Sequence, residues 1–165
     1  GGIPDPVIPG FETINGSLGH GLGVACGIAL ALKRRKRKET VFVLMGDGEL
    51  YEGSVWEAIM FAGEHKIDNL TLIIDNNKVC MLDFCKNIID LSPLDKKFKV
   101  FNWDVKTADG HNVEELYNAL KDFKEKRGNF MNFFGILKDT DWNERENSVK
   151  SLRKSFRKNI LTNIR

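Results

Sequence analysis

The sequence predicts an α/β protein: a three-layer, doubly wound fold on a mainly parallel sheet. Two short, continuous apolar runs, residues 41–45 and 70–74, each end in a turn rich in Gly, Asp or Asn. Runs of this kind are buried parallel strands. A helical pattern lies between them, so the three form a βαβ unit whose right-handed crossover makes the strands parallel. Strand and helix patterns keep alternating after it, as a doubly wound sheet requires. At 165 residues the chain can bury a substantial core, and one domain is the default.

Three of the four prolines, Pro4, Pro6 and Pro9, fall in residues 1–13, which read as an irregular lead-in loop. Residues 15–32 are small and apolar, with Gly16, Gly19, Gly21, Gly23 and Gly27 ahead of and inside a helix that runs into a basic block. Glycines cost helix stability, so their number implies close backbone approach, either by a neighbouring helix or by a ligand. After the strand at 41–45, a helix is expected over 54–65, where Ser54 and Glu57 make a capping-box pattern and Val55, Ala58, Ile59 and Ala62 recur at helical spacing. Beyond the strand at 70–74, the expectations are a short helix over 91–98, a strand over 103–107 and an amphipathic helix over 113–126 with Leu116, Leu120 and Phe123 on one face. A last strand is expected over 133–137. The domain is read as 1–128, and 129–165 as a divergent, poorly ordered basic tail with a weak helical period around Leu152, Phe156 and Leu161.

No apolar stretch reaches the roughly 20 residues of a membrane span. The net charge is +2, but Lys33-Arg34-Arg35-Lys36-Arg37-Lys38 forms one basic block. It reads either as a solvated helix end complementing the macrodipole or as a contact for nucleic acid or anionic lipid, and nucleic acid is not the expected partner. Cys26, Cys80 and Cys85 lack the paired spacing of a zinc site and read as free thiols of a reducing cytoplasm. Trp56, Trp103 and the eleven phenylalanines read as core, His65 as a helix end, and His111 as part of a turn or the site edge.

Ligands of open parallel sheets bind beyond the carboxyl ends of the strands, where both turn motifs fall. Asp47 and Asn77 are thirty positions apart, yet the βαβ unit brings them to one sheet edge. A carboxylate and an amide oxygen suit a hard cation such as Mg²⁺. Glycines at 46 and 48 leave room for a diphosphate, and the next helix N-terminus favours its charge. An Asp-Gly pair after a strand is equally a tight turn.

Gly46-Asp47-Gly48, followed after the helix and strand by Asn76-Asn77, resembles the thiamine diphosphate motif that begins GDG and ends NN. Gly-Asp-Gly-Glu-Leu-Tyr-Glu-Gly at 46–53 and Gly-Ser-Leu-Gly-His-Gly at 16–21 resemble transketolases, especially those split into N- and C-terminal subunits. The likeness covers roughly residues 1–126. It implies a thiamine diphosphate-binding fold, incomplete at both ends, in which Asp47 and Asn77 give side-chain oxygens to Mg²⁺ and Val79 its backbone carbonyl. By the same resemblance Gly46, Gly48 and Glu49 bind the cofactor, Gly48 through its backbone, and Gly16 and Leu18 border it. Glu52 and Glu57 match acids that couple two cofactor sites across a dimer, with Glu52 favoured for proton communication. His20 stands where many relatives have Gln, as a donor or a polar packing residue.

The implied reaction moves a two-carbon ketol unit between sugar phosphates. The implied partner is a C-terminal subunit carrying the pyrimidine-binding domain and the glutamate that activates the cofactor, in a homodimer or heterotetramer, so the chain alone should bind weakly and catalyse little. Other readings are a deoxyxylulose phosphate synthase, a keto-acid decarboxylase, or a non-catalytic binding remnant. Two departures stand out. The family's upstream histidines in a Lys-Gly-His context are not in this sequence, and a Lys-Gly-Lys-Gly-like loop is replaced by Phe134-Gly135-Ile136-Leu137-Lys138-Asp139. A piece of a longer protein, or a frame shift near Gly128, is the expectation. Re-reading the encoding nucleotides tests the frame shift, and no family-like continuation in either other frame would refute it.

Overall fold

Val41, Val43 and Met45 alternate with Phe42 and Leu44 along β1 (Val41–Gly46), giving the strand two apolar faces. The computed structural model describes residues 7–81, 83–125 and 131–135. β2 (Leu70–Asp75) runs parallel to β1, with Val41 opposite Leu70 and Gly46 opposite Asp75. β3 (Trp103–Thr107) and β4 (Met131–Gly135) complete a parallel sheet in the order β1-β2-β4-β3. The expected last strand is therefore present, but two residues earlier than the 133–137 read from the sequence. The expectations for 1–6 and for the tail beyond Gly135 lie outside the described residues.

The helices are α1 (Gly21–Arg34), α2 (Gly53–Glu64), the one-turn α3 (Cys85–Ile88), α4 (Leu94–Val100) and α5 (Val113–Glu125). From β1 to β3 the chain advances along the sheet, and from β3 to β4 it steps back. A right-handed crossover must then put α5 on the opposite face from α2 and α4. The core divides accordingly. Leu22 and Ala29 of α1, Ile59 of α2 and Phe98 of α4 pack with Leu70 and Leu72 on one face. Ala119 and Phe123 of α5 pack near Ile73 on the other. The three-layer, doubly wound expectation holds.

Trp103 joins the elements of the larger core. It is 2% exposed, meets Phe98 edge-on at 5.8 Å and donates its indole N–H to Ile59 O at 3.1 Å. Trp56 is half-buried and donates to Leu50 O at 2.8 Å. His65 caps the end of α2 and meets Phe61 at 4.3 Å with the ring planes tilted by 52°.

Three expectations are corrected, and one element was not expected. β1 is not fully buried: Phe42 is 47% and Leu44 71% exposed, because β1 is the edge of the described sheet and α5 packs beside Ile73 and β4. The capping box of Ser54 and Glu57 does not form. Glu52 is the N-cap of α2 and makes no side-chain cap bond, while the Ser54 hydroxyl donates to Gly19 O at 3.1 Å. The helix expected from 91 starts at Leu94, since Pro93 bars Ser92 from helical geometry and takes the N-cap itself. α3 was not foreseen at all.

The glycines of α1 divide. Among the described residues a Cβ at Gly23 or Gly27 would meet nothing within 4 Å, so packing of the described helices does not account for them. The basic block supports the helix-end reading: Lys33 and Arg34 occupy the last turn of α1, Lys33 pairs with Asp68 at 2.8 Å, and Arg37 pairs with Glu39. Among the described residues no helix is long and apolar enough to cross a membrane. The three cysteines are free.

Candidate functional site

Parallel pairing in register sets the site. Because Gly46 lies opposite Asp75, the two strands end level, and Asp47 and Asn77 follow within one and two residues of those ends. Asp47 opens a 3-10 turn, Asp47–Tyr51. Its carboxylate, on a residue 5% exposed, accepts the backbone N–H of Lys78 at 2.9 Å. Asn77 Oδ1 accepts the N–H of Val79 at 2.9 Å, and its Nδ2 donates to Asp75 Oδ2 at 3.1 Å. Asp47 and Asn77 therefore converge on the Lys78-Val79 backbone.

Burial pushes the Asp47 carboxyl above its ordinary value, against the pull of the Lys78 N–H and of Cys85, and Asp75 adds repulsion. Asp75 Oδ1 is itself buried with no hydrogen-bond partner among the described residues. A buried Asp47 carboxylate repelled by Asp75 favours a cation beside it. Among the described residues, three or more His, Cys, Asp or Glu do not cluster to hold a metal by themselves. Oxygen donors of the Asp47, Asn77 and Val79 type, completed by phosphate and water, fit a hard dication. The residues present thus fit Mg²⁺ with a diphosphate.

A cleft of ≈ 370 Å³ opens at Asp47, lined among others by Tyr51, Asn76, Lys78, Cys85 and Lys86. Tyr51 donates toward Cys85 O at 3.0 Å and Ile89 O at 3.1 Å, tying the 3-10 turn to the wall of the cleft. Burial, with help from the nearby Asp47 and Cys80, pushes the Cys85 thiol up to about 11. Lys78 Nζ donates to Asn76 Oδ1 at 2.6 Å.

The two glycines of the turn play different parts. Among the described residues a Cβ at Gly46 would meet nothing within 4 Å, whereas a Cβ at Gly48 would lie 3.2 Å from Cys80 Cβ. Glu49 turns inward. Its carboxylate accepts Gly46 N at 3.1 Å and Gly19 N at 2.9 Å, drawing the 16–20 loop onto the turn. Gly16 and Leu18 sit on the exposed surface of that loop, Leu18 51% exposed. His20 is exposed too, with Nδ1 3.0 Å from Leu18 O; it is not packed into the core. Glu52 and Glu57 lie at the surface, Glu52 with its Cβ against Gly19. His111 sits in an exposed turn whose N–H meets Asp109 Oδ1 at 3.0 Å.

Sequence reasoning missed Asp75, Tyr51 and Cys85 as site residues. Asp75 directly precedes Asn76-Asn77 and Tyr51 lies in the 46–53 run, so position alone could have raised both. For Cys85 no sequence signal exists.

The family described as the transketolase thiamine diphosphate binding domain matches residues 1–134. An apulose-4-phosphate transketolase subunit of Actinobacillus succinogenes is 44% identical over 113 residues, which are 68% of this chain and 41% of that protein. The 6-deoxy-6-sulfo-D-fructose transketolase subunit of a Clostridium species is 39% identical over 119 residues, 72% of this chain and 43% of that one. The crystal structure of transketolase from Campylobacter jejuni superposes with a TM-score of 0.72 at 28% identity, covering 81% of this chain and 22% of that chain. The chain spans less than half the length of the curated relatives it matches.

Proposed function

We propose that this chain, which belongs to the transketolase family, forms the diphosphate- and Mg²⁺-binding part of an enzyme that moves a two-carbon ketol unit between sugar phosphates. The observation that carries this reading is the buried Asp47 carboxylate facing the Asn77-to-Val79 turn across two strand ends in register. Asp47, Asn77 and the Val79 carbonyl would hold Mg²⁺, and Gly46 and Gly48 would border the diphosphate. Thiamine diphosphate, when bound, supplies the carbon nucleophile and electron sink that the side chains of a protein lack. The chain's own residues bind and orient: Asp47 supplies charge in a desolvated setting, Asp75 fixes the Asn77 amide, and Tyr51 holds the cleft wall.

Both named relatives are themselves subunits of transketolases. That supports a partner polypeptide bringing the pyrimidine-binding part. The exposure of Glu52 beside the 16–20 loop supports assigning it to proton communication with a second site, with Glu57 the weaker candidate. Titration calorimetry with thiamine diphosphate and Mg²⁺, with and without the companion polypeptide, tests the reading. Asp47→Ala should abolish the Mg²⁺-dependent heat and Asn77→Ala weaken it. Unaltered heats in both variants would refute the assignment.

A further inference from the structure

We infer that Glu49 is a positioning residue that locks the glycine loop at 16–20 to the turn after β1, without touching the cofactor itself. One carboxylate oxygen accepts Gly46 N at 3.1 Å, within its own turn, and the other accepts Gly19 N at 2.9 Å, thirty residues away. Gly19 is clamped from its other side as well, since its carbonyl accepts the Ser54 hydroxyl at 3.1 Å. Its φ is +78°, and a Cβ there would lie 2.5 Å from Glu52 Cβ. The loop thus reaches the turn at a point where backbone alone fits.

Charge explains why a carboxylate does this work. A free carboxylate next to a diphosphate would repel it. Here both oxygens are taken up by backbone N–H groups in charge-assisted bonds, which are stronger than neutral ones and fix geometry. Gly19 N–H is correspondingly withdrawn from the donors open to a phosphate. Glu49 then serves the site by fixing where Gly16 and Leu18 stand relative to Gly46. Shortening the side chain leaves both amides unreachable at once, whereas the isosteric amide keeps one acceptor oxygen.

The affinity part of this inference rests on the cofactor reading above; the clamp itself does not. Amide hydrogen exchange on the full chain, without ligand, tests the clamp in Glu49→Ala and Glu49→Gln. Gly19 should exchange at least about tenfold faster in Glu49→Ala and less so in Glu49→Gln, while Leu72 in β2 keeps its protection. Calorimetry with thiamine diphosphate and Mg²⁺ should then show affinity about tenfold weaker in Glu49→Ala and partly restored in Glu49→Gln. Unchanged Gly19 exchange in both variants overturns the inference. So does lost cofactor affinity with Gly19 exchange intact, which would make Glu49 a direct ligand. If the unmutated chain takes up no cofactor, the reading above falls and the exchange result alone decides the clamp. Should Glu49→Ala not fold, Glu49→Gln carries both measurements.

Discussion

A single methyl group at Gly19 would have to occupy space held by Glu52 Cβ and Ser54 Oγ, at a backbone angle L side chains rarely adopt. Gly19→Ala should therefore cost about 1–3 kcal/mol of stability in urea unfolding, where the same change at Gly23, with nothing within 4 Å, should be neutral or slightly stabilising. Cys26 carries a different kind of prediction. It is 3% exposed, and burial pushes its thiol from 9.0 up to about 11, so at pH 8 its thiolate fraction is about a hundredfold lower than that of an ordinary thiol. Mass-resolved alkylation should find it the slowest cysteine, because Cys85, whose thiol is likewise pushed up to about 11, is only half-buried, and the Cys26 rate should climb as pH approaches 11. Residue chemistry was legible wherever it depended on type and order along the chain: Asp47 and Asn77 meet at one sheet edge, as the βαβ unit implied. It was not legible for Glu49 and Ser54, whose partners are backbone groups about thirty residues away, and nothing in local spacing encodes such a contact.

At the level of elements, periodicity located the helices and strands of the sheet within a few residues, because apolar period reports which face is buried. It failed where tertiary placement overrode it. β1 reads as a buried strand by composition, but its position at the sheet edge leaves Leu44 71% exposed. α3 is a single turn, held in part by the Tyr51 hydroxyl on Cys85 O rather than by any pattern of its own. α4 illustrates how a seven-residue helix persists. Phe98 is 0% exposed and lies 5.9 Å from Trp56 and 5.8 Å from Trp103, so packing supplies what length cannot. Phe98→Ala should lose about 3–5 kcal/mol, a large share of the total for a domain of this size. A urea midpoint shift of less than a third of that would mean the ring cluster is dispensable.

Across the whole molecule, the reversal between β3 and β4 divides the helices between two faces and produces the larger core under α1, α2 and α4. Among the described residues the opposite face is covered by α5 only in part, and Phe42 and Leu44 are exposed. Leu44→Lys should change unfolding free energy by no more than about 0.5 kcal/mol while reducing self-association in sedimentation velocity, since an apolar edge strand is a template for pairing. Equal sedimentation of both proteins would remove that role from β1.

The level ends of β1 and β2 bear on which insertions the chain can tolerate. Residues added between Glu64 and Leu70 that leave the buried Ile67 and Asn69 in place lengthen a connection, and the pairing of Gly46 with Asp75 keeps both halves of the site where they are. One residue deleted inside β2 would instead draw Asn77 back by about 3.3 Å and turn its side chain to the other face. What is fixed, then, is each motif's count from the end of its own strand. The interval of thirty between them is an accident of how long the crossover happens to be.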